Sequence, residues 1–199
     1  MTGLRFSETM TGRVSLRTSD PVAGFESVGA VAAWIHADVK VDDVDDFVMQ
    51  ELPVAGLRAE LVIPVLGVCA VSNDGTFTLF KPGVGPDRRR VREILYTATF
   101  VDGDRVYDVR ARKLLQPSWH LWRDTTTAHL VVHATMGKAA QTSSAAGFVK
   151  ISPWGFLVQL VTMRGFGGAS GANRCGAVLT YSRFFVRGLA KTYLRRARW

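Results

Sequence analysis

The sequence predicts a mainly β protein: an antiparallel β-barrel of about eight strands, followed by one or two C-terminal helices. Segments in which apolar and polar residues alternate recur at short spacing along most of the chain. Gly-rich and Asp-rich turn sequences separate several of these segments. Alternation places one face of each strand in a core and the other in water, and closure into a barrel removes the exposed sheet edges. A β-sandwich is the main alternative.

The clearest strand is the first, at residues 4–18. Its apolar face carries Leu4, Phe6, Glu8, Met10, Gly12, Val14 and Leu16, and its polar face carries Arg5, Ser7, Thr9, Thr11, Arg13, Ser15 and Arg17. Glu8 is the one ionisable residue on the apolar face. A carboxylate buried there needs a partner or a changed pKa. Glu8 is therefore the first candidate for a functional residue.

Further strands are predicted by alternation or by β-branched and aromatic residues. They occupy residues 27–40, 57–71, 76–80, 91–101, 106–115, 127–136 and 147–152. The sequences SNDG at 72–75 and DGD at 102–104 indicate turns, the first of them a hairpin turn. Pro64 indicates a bulge or an edge position within its strand. Residues 118–126 and the small, polar residues 138–146 are predicted to be loops, the second of them mobile.

Helices are predicted at three places. The acidic residues 42–46 favour the capped N-terminus of a short helix over a metal site. Pro153 suits the first turn of a longer helix. Residues 165–176 have the composition of a flexible link, and residues 178–198 form an amphipathic, basic helix candidate.

We expect one domain, with the barrel over residues 1–152 and a helical C-terminal segment over residues 153–199 packed on it. The formal net charge of +8 and the pI of about 10.0 favour an anionic partner or surface. Basic residues cluster at 88–92 and at 183–199. Docking of the last helix on the barrel is the favoured interpretation. Contact of residues 183–199 with a membrane surface is the alternative, and a nucleic-acid partner is not expected.

Cysteine usage and the N-terminal sequence predict a cytoplasmic protein. Cys69 and Cys175 show no CxxC spacing and lie in apolar or Gly-rich surroundings, so we expect two buried free thiols in a reducing compartment. The N-terminal residues lack the continuous apolar run of a signal peptide. The longest apolar run, residues 61–71, is too short for a bilayer, which needs roughly 20 residues.

Lys113 breaks the pattern of its strand in the same way as Glu8. The apolar face there carries Tyr107, Val109, Ala111, Lys113 and Leu115. A buried ammonium group and a buried carboxylate each need an opposite charge. We therefore predict that Glu8 and Lys113 meet inside the barrel, either as a structural ion pair or as the polar centre of a functional site.

Other catalytic and metal-binding patterns are weak, and neither a metal nor a cofactor is predicted. His129 and His133 are about 13 Å apart on one strand, at roughly 3.3 Å per residue, which is too far to share a metal ion. No GxSxG sequence supports a serine hydrolase. The glycines at 165–168 do not follow a strand in a βαβ unit, so a dinucleotide site is not expected. Trp122 can line the mouth of a pocket or pack in the core.

Four sequences taken together resemble an accessory domain of actinobacterial proteins. They are FSETMTG (6–12), GTFTLF (75–80), ILYTATFVDGDRVYDVRARKLL (94–115) and WRDTTT (122–127). That domain occurs fused to cholesterol-oxidase-like GMC flavoproteins and to α/β-hydrolase-like proteins, with the pattern F-x-E-x-M-x-G, G-x-F-x-L-F, Y-x-x-x-F, G-x-K and D-T-T. Ala111 stands where the pattern has the Gly before its Lys.

This resemblance implies association with sterol-like or other lipophilic substrates. Its pattern marks three polar residues of this chain as site residues, Glu8, Lys113 and Asp124. The flavin and hydrolase sequences are not among these 199 residues, so their chemistry is not carried over.

A barrel of this size, lipocalin-like or calycin-like, has room for one small ligand. The first functional hypothesis is a lipophilic molecule held in the interior and oriented by Glu8 and Lys113. The expected lining residues are Phe6, Met10, Leu61, Ile63, Tyr96, Tyr107 and Trp122. The second hypothesis is a cofactor-free isomerase or cyclase, with Glu8 as acid or base and Lys113 stabilising negative charge. The third is an accessory module for a separate oxidoreductase or hydrolase.

Overall fold

The computed structural model describes residues 1–117, 120–136 and 141–194, and these ranges contain nine strands and five helices. The strands are β1 (Thr2–Leu16), β2 (Val31–Val41), β3 (Val54–Ile63), β4 (Val68–Val84), β5 (Arg90–Asp102), β6 (Arg105–Leu115), β7 (Thr127–Met136), β8 (Gln141–Lys150) and β9 (Arg164–Gly167). The helices are α1 (Pro21–Glu26), α2 (Val44–Met49), α3 (Leu121–Thr126), α4 (Pro153–Thr162) and α5 (Gly171–Leu194). Predictions for residues 118–119, 137–140 and 195–199 lie outside the described residues.

Eight antiparallel strands close into a barrel, which confirms the predicted fold class. Each strand from β1 to β8 pairs with the next one, and β1 pairs with β8 to complete the ring. β9 pairs with the first residues of β1, Thr2–Arg5. The inward side chains of the eight strands form one apolar core. The barrel therefore follows from the strand alternation that the sequence displays.

The turn between β3 and β4 is at a different place from the predicted hairpin turn. The chain reverses at Pro64–Gly67, where a single 3-10 turn ends on Gly67 with φ of 64°. A residue without a side chain adopts this left-handed conformation at no steric cost. The predicted SNDG turn is instead a bulge inside β4, where Asn73 and Asp74 together face Arg58 of β3. A bulge needs the same flexible residue types as a turn, so composition did not separate the two.

β8 begins earlier than predicted, and part of the predicted mobile loop is strand. Residues 141–150 pair with the whole of β7, from Gln141 against Met136 to Lys150 against Thr127. The small side chains in this strand allow close packing. A Cβ at Gly147 would overlap the carbonyl oxygen of Arg13 on β1. The small residues of this segment, whose low hydrophobicity indicated a loop, are thus required because the backbones of β8 and β1 lie close together.

Two short helices replace a predicted turn and a predicted loop, and helices are present at all three predicted places, with α5 beginning earlier than predicted. Asp43 caps α2 as expected, by accepting hydrogen bonds from the backbone of Asp45 and Asp46. Ser152 caps α4, with Pro153 in its first turn. The structure also places α1 in a segment read as a turn and α3 in a segment read as a loop. The link predicted at 165–176 contains most of β9 and the start of α5.

Both cysteines are exposed, so the expectation of buried thiols is wrong. Cys69 lies on the outward face of β4, because its neighbours Val68 and Ala70 point into the core. Cys175 lies in the first turns of α5 and is also exposed. Apolar neighbours in sequence do not decide the orientation of a strand residue, since successive side chains point to opposite faces.

α5 covers one end of the barrel, which we call the α5 end. Ala177 and Tyr181 are its buried residues. The Tyr181 ring packs against Phe6 of β1 and Phe47 of α2, with centroids 5.8 and 6.0 Å apart. In the described part of the chain, no helix combines the length and the apolar composition required to cross a membrane.

Candidate functional site

The barrel wall has a gap beside Glu8. On one side of β1, β8 pairs only with Thr11–Leu16 and β9 only with Thr2–Arg5, which leaves residues 6–10 without a strand on that side. Pairing of β7 with β6 likewise stops at Arg112. We call the space between residues 6–10 of β1 and residues 113–115 of β6 the wall gap.

Two helices cover the wall gap from outside. α3 connects β6 to β7, and α4 leaves β8 and packs along β1. The Thr162 hydroxyl at the end of α4 accepts a hydrogen bond from the backbone N–H of Ser7 at 3.2 Å. Its own hydrogen is within reach of the carbonyl oxygens of Gln159, at 2.9 Å, and of Ser7, at 3.2 Å. This side chain therefore supplies Ser7 with a partner that a neighbouring strand would otherwise provide. The rings of Trp122 on α3 and Phe156 on α4 meet at 5.2 Å and join the two helices.

Glu8 and Lys113 face each other across the wall gap, which confirms that they meet. The Lys113 Nζ donates to both Glu8 carboxylate oxygens, at 3.2 and 3.1 Å. Each residue is only 2% exposed. Lys113 is the first inward-facing position beyond the end of the β7 pairing, and Glu8 is the second beyond the end of the β8 pairing, after Met10, so no strand separates them.

Tyr96 of β5 completes the cluster. Lys113 donates a hydrogen bond to the Tyr96 hydroxyl at 2.9 Å. The Lys113 Nζ thus links Glu8 and Tyr96 by hydrogen bonds, and we call the three side chains the Glu8–Lys113–Tyr96 cluster. In the described residues, every buried side-chain nitrogen and oxygen has a hydrogen-bond partner. The cluster is therefore fully satisfied, as buried polar networks need to be.

Burial is the main cause of the pKa shifts of Lys113 and Tyr96 in the cluster. It lowers the pKa of Lys113, while the Glu8 carboxylate opposes this change. Burial also raises the pKa of Tyr96 well above its ordinary value, and the negative charge of Glu8 raises it further. The pKa of Tyr181 on α5 is raised by the same two causes in the same order. The Glu8 charge thus acts on groups from β5, β6 and α5.

Small residues make room for the cluster. Glu8 pairs with Ala37 of β2, which pairs in turn with Ala59 of β3. Tyr96 pairs with Ala111 of β6. Three inward alanines next to a carboxylate and a phenol leave space that larger side chains would fill.

The other predicted lining residues lie at different depths of the barrel. Phe6, Met10, Leu61, Ile63, Tyr96 and Tyr107 are all buried in the core. Phe6 and Met10 flank Glu8 on the inward face of β1. Ile63 is the last residue of β3 before the 3-10 turn, and Tyr107 is near the β5–β6 turn, so both lie towards the opposite end from α5. Tyr96 contributes its hydroxyl rather than apolar surface alone.

Trp122 and Asp124 lie on α3, outside the ring of strands. Trp122 is half-exposed against Phe156. Asp124 is buried, accepts a hydrogen bond from Tyr193 of α5 at 3.1 Å and pairs with Arg123 at 3.6 Å. This carboxylate ties α5 to α3. Sequence reasoning missed Tyr181 and Tyr193, because helical periodicity on α5 does not reveal which barrel residues they meet.

An open groove of about 720 Å³ lies at the α5 end. Its apolar lining includes Phe80 of β4, Leu115 of β6 and Phe184 of α5, and its cationic lining includes Arg90 and Lys191. Leu115 is fully buried and is the next inward residue after Lys113 on β6. At roughly 3.3 Å per residue, the two Cα atoms are about 7 Å apart. The groove therefore reaches to within one inward position of the cluster.

Comparisons with protein-family models, with curated protein sequences and with solved structures found no match for this chain. Within the described ranges, no group of three or more His, Cys, Asp or Glu side chains could hold a metal ion. His129 packs edge-on against Phe148, and His133 shares a hydrogen bond with Ser144. The Glu8–Lys113–Tyr96 cluster and the groove are therefore the features that determine the chemistry of the site.

Proposed function

We propose that the protein binds a lipophilic small molecule at the α5 end of the barrel, with a polar group of that molecule directed towards the Glu8–Lys113–Tyr96 cluster. The observation that carries this proposal is the groove, whose floor at Leu115 is one inward position away from Lys113. A mostly apolar concavity with a few polar groups at its base is the usual form of a small-molecule site.

The size and lining of the groove support an amphipathic ligand. Its volume of about 720 Å³ falls within the range of roughly 300–1,000 Å³ typical of ligand pockets. Phe80 and Phe184 offer aromatic surface, and their rings lie 6.0 Å apart across the groove wall. Arg90, Arg92 and Lys191 line the groove together with one acidic residue, Glu51, so the charge of its lining is net positive. A ligand with an apolar body and an oxygen-bearing end matches this arrangement.

The charge of the cluster favours a neutral polar group on the ligand. Glu8 and Lys113 balance each other, so a hydroxyl or carbonyl group can exchange hydrogen bonds with them without adding a buried charge. The resemblance to the accessory domain of actinobacterial GMC oxidoreductases and hydrolases agrees with a sterol-like, polyketide-like or lipid-like molecule. The presence of two free thiols supports a location in a reducing compartment such as the cytoplasm.

The test is to identify what the purified protein carries. Native mass spectrometry and organic extraction are expected to reveal a bound lipophilic molecule. Thr192 lines the groove and donates its hydroxyl hydrogen to the Gly188 carbonyl one turn earlier, so Thr192→Trp should fill the groove and release that molecule. Thr125→Trp is the matched control, because Thr125 makes the same contact to Leu121 on α3.

The outcome separates the three functional hypotheses. Retention of ligand by Thr125→Trp and its loss from Thr192→Trp supports binding. Conversion of the extracted molecule by the protein, abolished in Glu8→Gln with ligand affinity unchanged, would favour the isomerase or cyclase alternative. If neither the natural protein nor the control carries or takes up any lipophilic compound, the proposal fails and an accessory module for a separate enzyme gains.

A further inference from the structure

Helix α4 exposes an apolar surface to solvent. The ten residues Pro153–Thr162 contain no charged side chain, and none of them is buried. Trp154 and Val161 are each 74% exposed, and Leu157, Val158 and Leu160 are also exposed. A surface helix normally turns its apolar face to the core. Most of the apolar side chains of this helix are instead exposed to solvent. An exposed apolar patch of this kind marks a site of interaction.

The contacts of α4 hold it in this orientation. Thr162 is fixed to the backbone of Ser7, and Gly155 lies against the Thr9 carbonyl region of β1. The side of the helix with Gly155, Phe156 and Thr162 therefore faces the barrel wall, while the five exposed apolar side chains point away. α3 extends the exposed surface through Leu121 and Trp122, both exposed. We call this surface the α3–α4 apolar face.

Positive charge surrounds the α3–α4 apolar face. Residues 125–199 contain ten Lys and Arg and no Asp or Glu, whereas residues 1–124 contain the other 15 Lys and Arg and all 17 Asp and Glu. The excess positive charge of the chain therefore lies wholly in the part that includes α4 and α5. Lys150 comes just before α4 and Arg164 just after it, and both are exposed. Arg5 pairs with Arg164, and Arg123 follows Trp122.

We propose that the α3–α4 apolar face docks on an anionic lipid bilayer surface, with Trp154 and the aliphatic side chains of α4 inserted among the lipids. Apolar and aromatic side chains enter the boundary between headgroups and acyl chains, while Arg and Lys around them attract anionic headgroups. A second copy of the chain fits less well. Pairing the face with itself would bring Arg164 and Lys150 of two copies together with no carboxylate on α4 to balance them.

The experiment compares the whole protein on two kinds of vesicle. We expect co-sedimentation with vesicles of phosphatidylcholine and phosphatidylglycerol, weaker binding to phosphatidylcholine alone, and weakening by salt. The variant Leu157→Gln/Val161→Gln should bind the anionic vesicles at least about tenfold more weakly, since 1.4 kcal/mol of lost apolar burial is a factor of ten. Both positions are exposed, so thermal unfolding should be unchanged.

The matched control is Val65→Gln/Val101→Gln, which removes two exposed valines, at 72% and 64% exposure, that lie off this face. It should bind as the natural protein does. Absence of vesicle binding by the natural protein would overturn the proposal. Full binding by Leu157→Gln/Val161→Gln would also overturn it, because binding would then come from basic residues elsewhere, such as α5. A dimer in solution that the same variant dissociates would assign the face to a second copy instead.

Discussion

Breaking the Glu8–Lys113 pair should destabilise the protein strongly, and the variant Lys113→Met tests this. The substitution removes the Nζ that donates to Glu8 at 3.1 and 3.2 Å and leaves a carboxylate that is 2% exposed. Removal of one partner from a buried ion pair costs about 3–5 kcal/mol. Tyr96 also loses the hydrogen bond that Lys113 donates to its hydroxyl at 2.9 Å, which adds to this cost.

The double variant Glu8→Gln/Lys113→Met should cost less than the two single variants together. It removes both charges and keeps an amide for the Tyr96 hydroxyl, so we expect a coupling energy of about 1–3 kcal/mol. The assay is urea unfolding of the natural protein, both single variants and the double variant, followed by circular dichroism. If Lys113→Met alone is largely unfolded, a double variant that still folds shows the same coupling, because the second substitution then restores stability.

An exposed pair provides the control for this cycle. Lys40 and Asp42 lie 2.7 Å apart, at 62% and 78% side-chain exposure. Lys40→Met should change the free energy of unfolding by less than about 1 kcal/mol. Additive effects at Glu8 and Lys113, within roughly 0.5 kcal/mol, would refute the reasoning, because the two side chains would then not interact.

Two further predictions concern the barrel closure and the tyrosines. Gly12→Ala should destabilise the protein markedly, because a Cβ there would overlap the Phe148 carbonyl oxygen at the β1–β8 contact. Thermal unfolding measures the effect, and an unchanged midpoint temperature would contradict this close approach. Three of the four tyrosines, Tyr96, Tyr181 and Tyr193, have pKa values raised chiefly by burial. The unfolded chain releases phenolic protons near pH 10 and the folded chain retains them, so the free energy of unfolding should fall as pH rises above about 10. The tyrosinate absorbance of these three residues should therefore appear together with unfolding, and their titration in a protein that stays folded would refute this.

Alternation along single strands was enough to find the centre of the site. Glu8 and Lys113 each violate an otherwise apolar face, and two buried opposite charges have few ways to be satisfied other than by meeting. Barrel closure follows from the same alternation, repeated over eight strands. These features are local in the chain or require only charge balance, so one sequence suffices to predict them.

Features that depend on close approach or on distant contacts could not be predicted in this way. SNDG and Pro64–Gly67 both contain turn residues, and only the β3–β4 register shows which of them reverses the chain. The residues of β8 are too small to suggest a strand, although small size is what its contact with β1 requires. Tyr181 meets the Glu8 region only because α5 crosses the barrel end. Each depends on tertiary packing rather than on local pattern.

The wall gap also has a consequence for the order in which the chain can assemble. Until residues 162–167 are in place, the first half of β1 has one side with no hydrogen-bonding partner, since Thr162 and β9 provide the partners there. A nascent or truncated chain ending near Lys150 would present this stretch as an open edge strand, the kind of surface that recruits strands from other molecules. β1 is thus protected from aggregation only by contacts with residues some 155 positions later in the sequence.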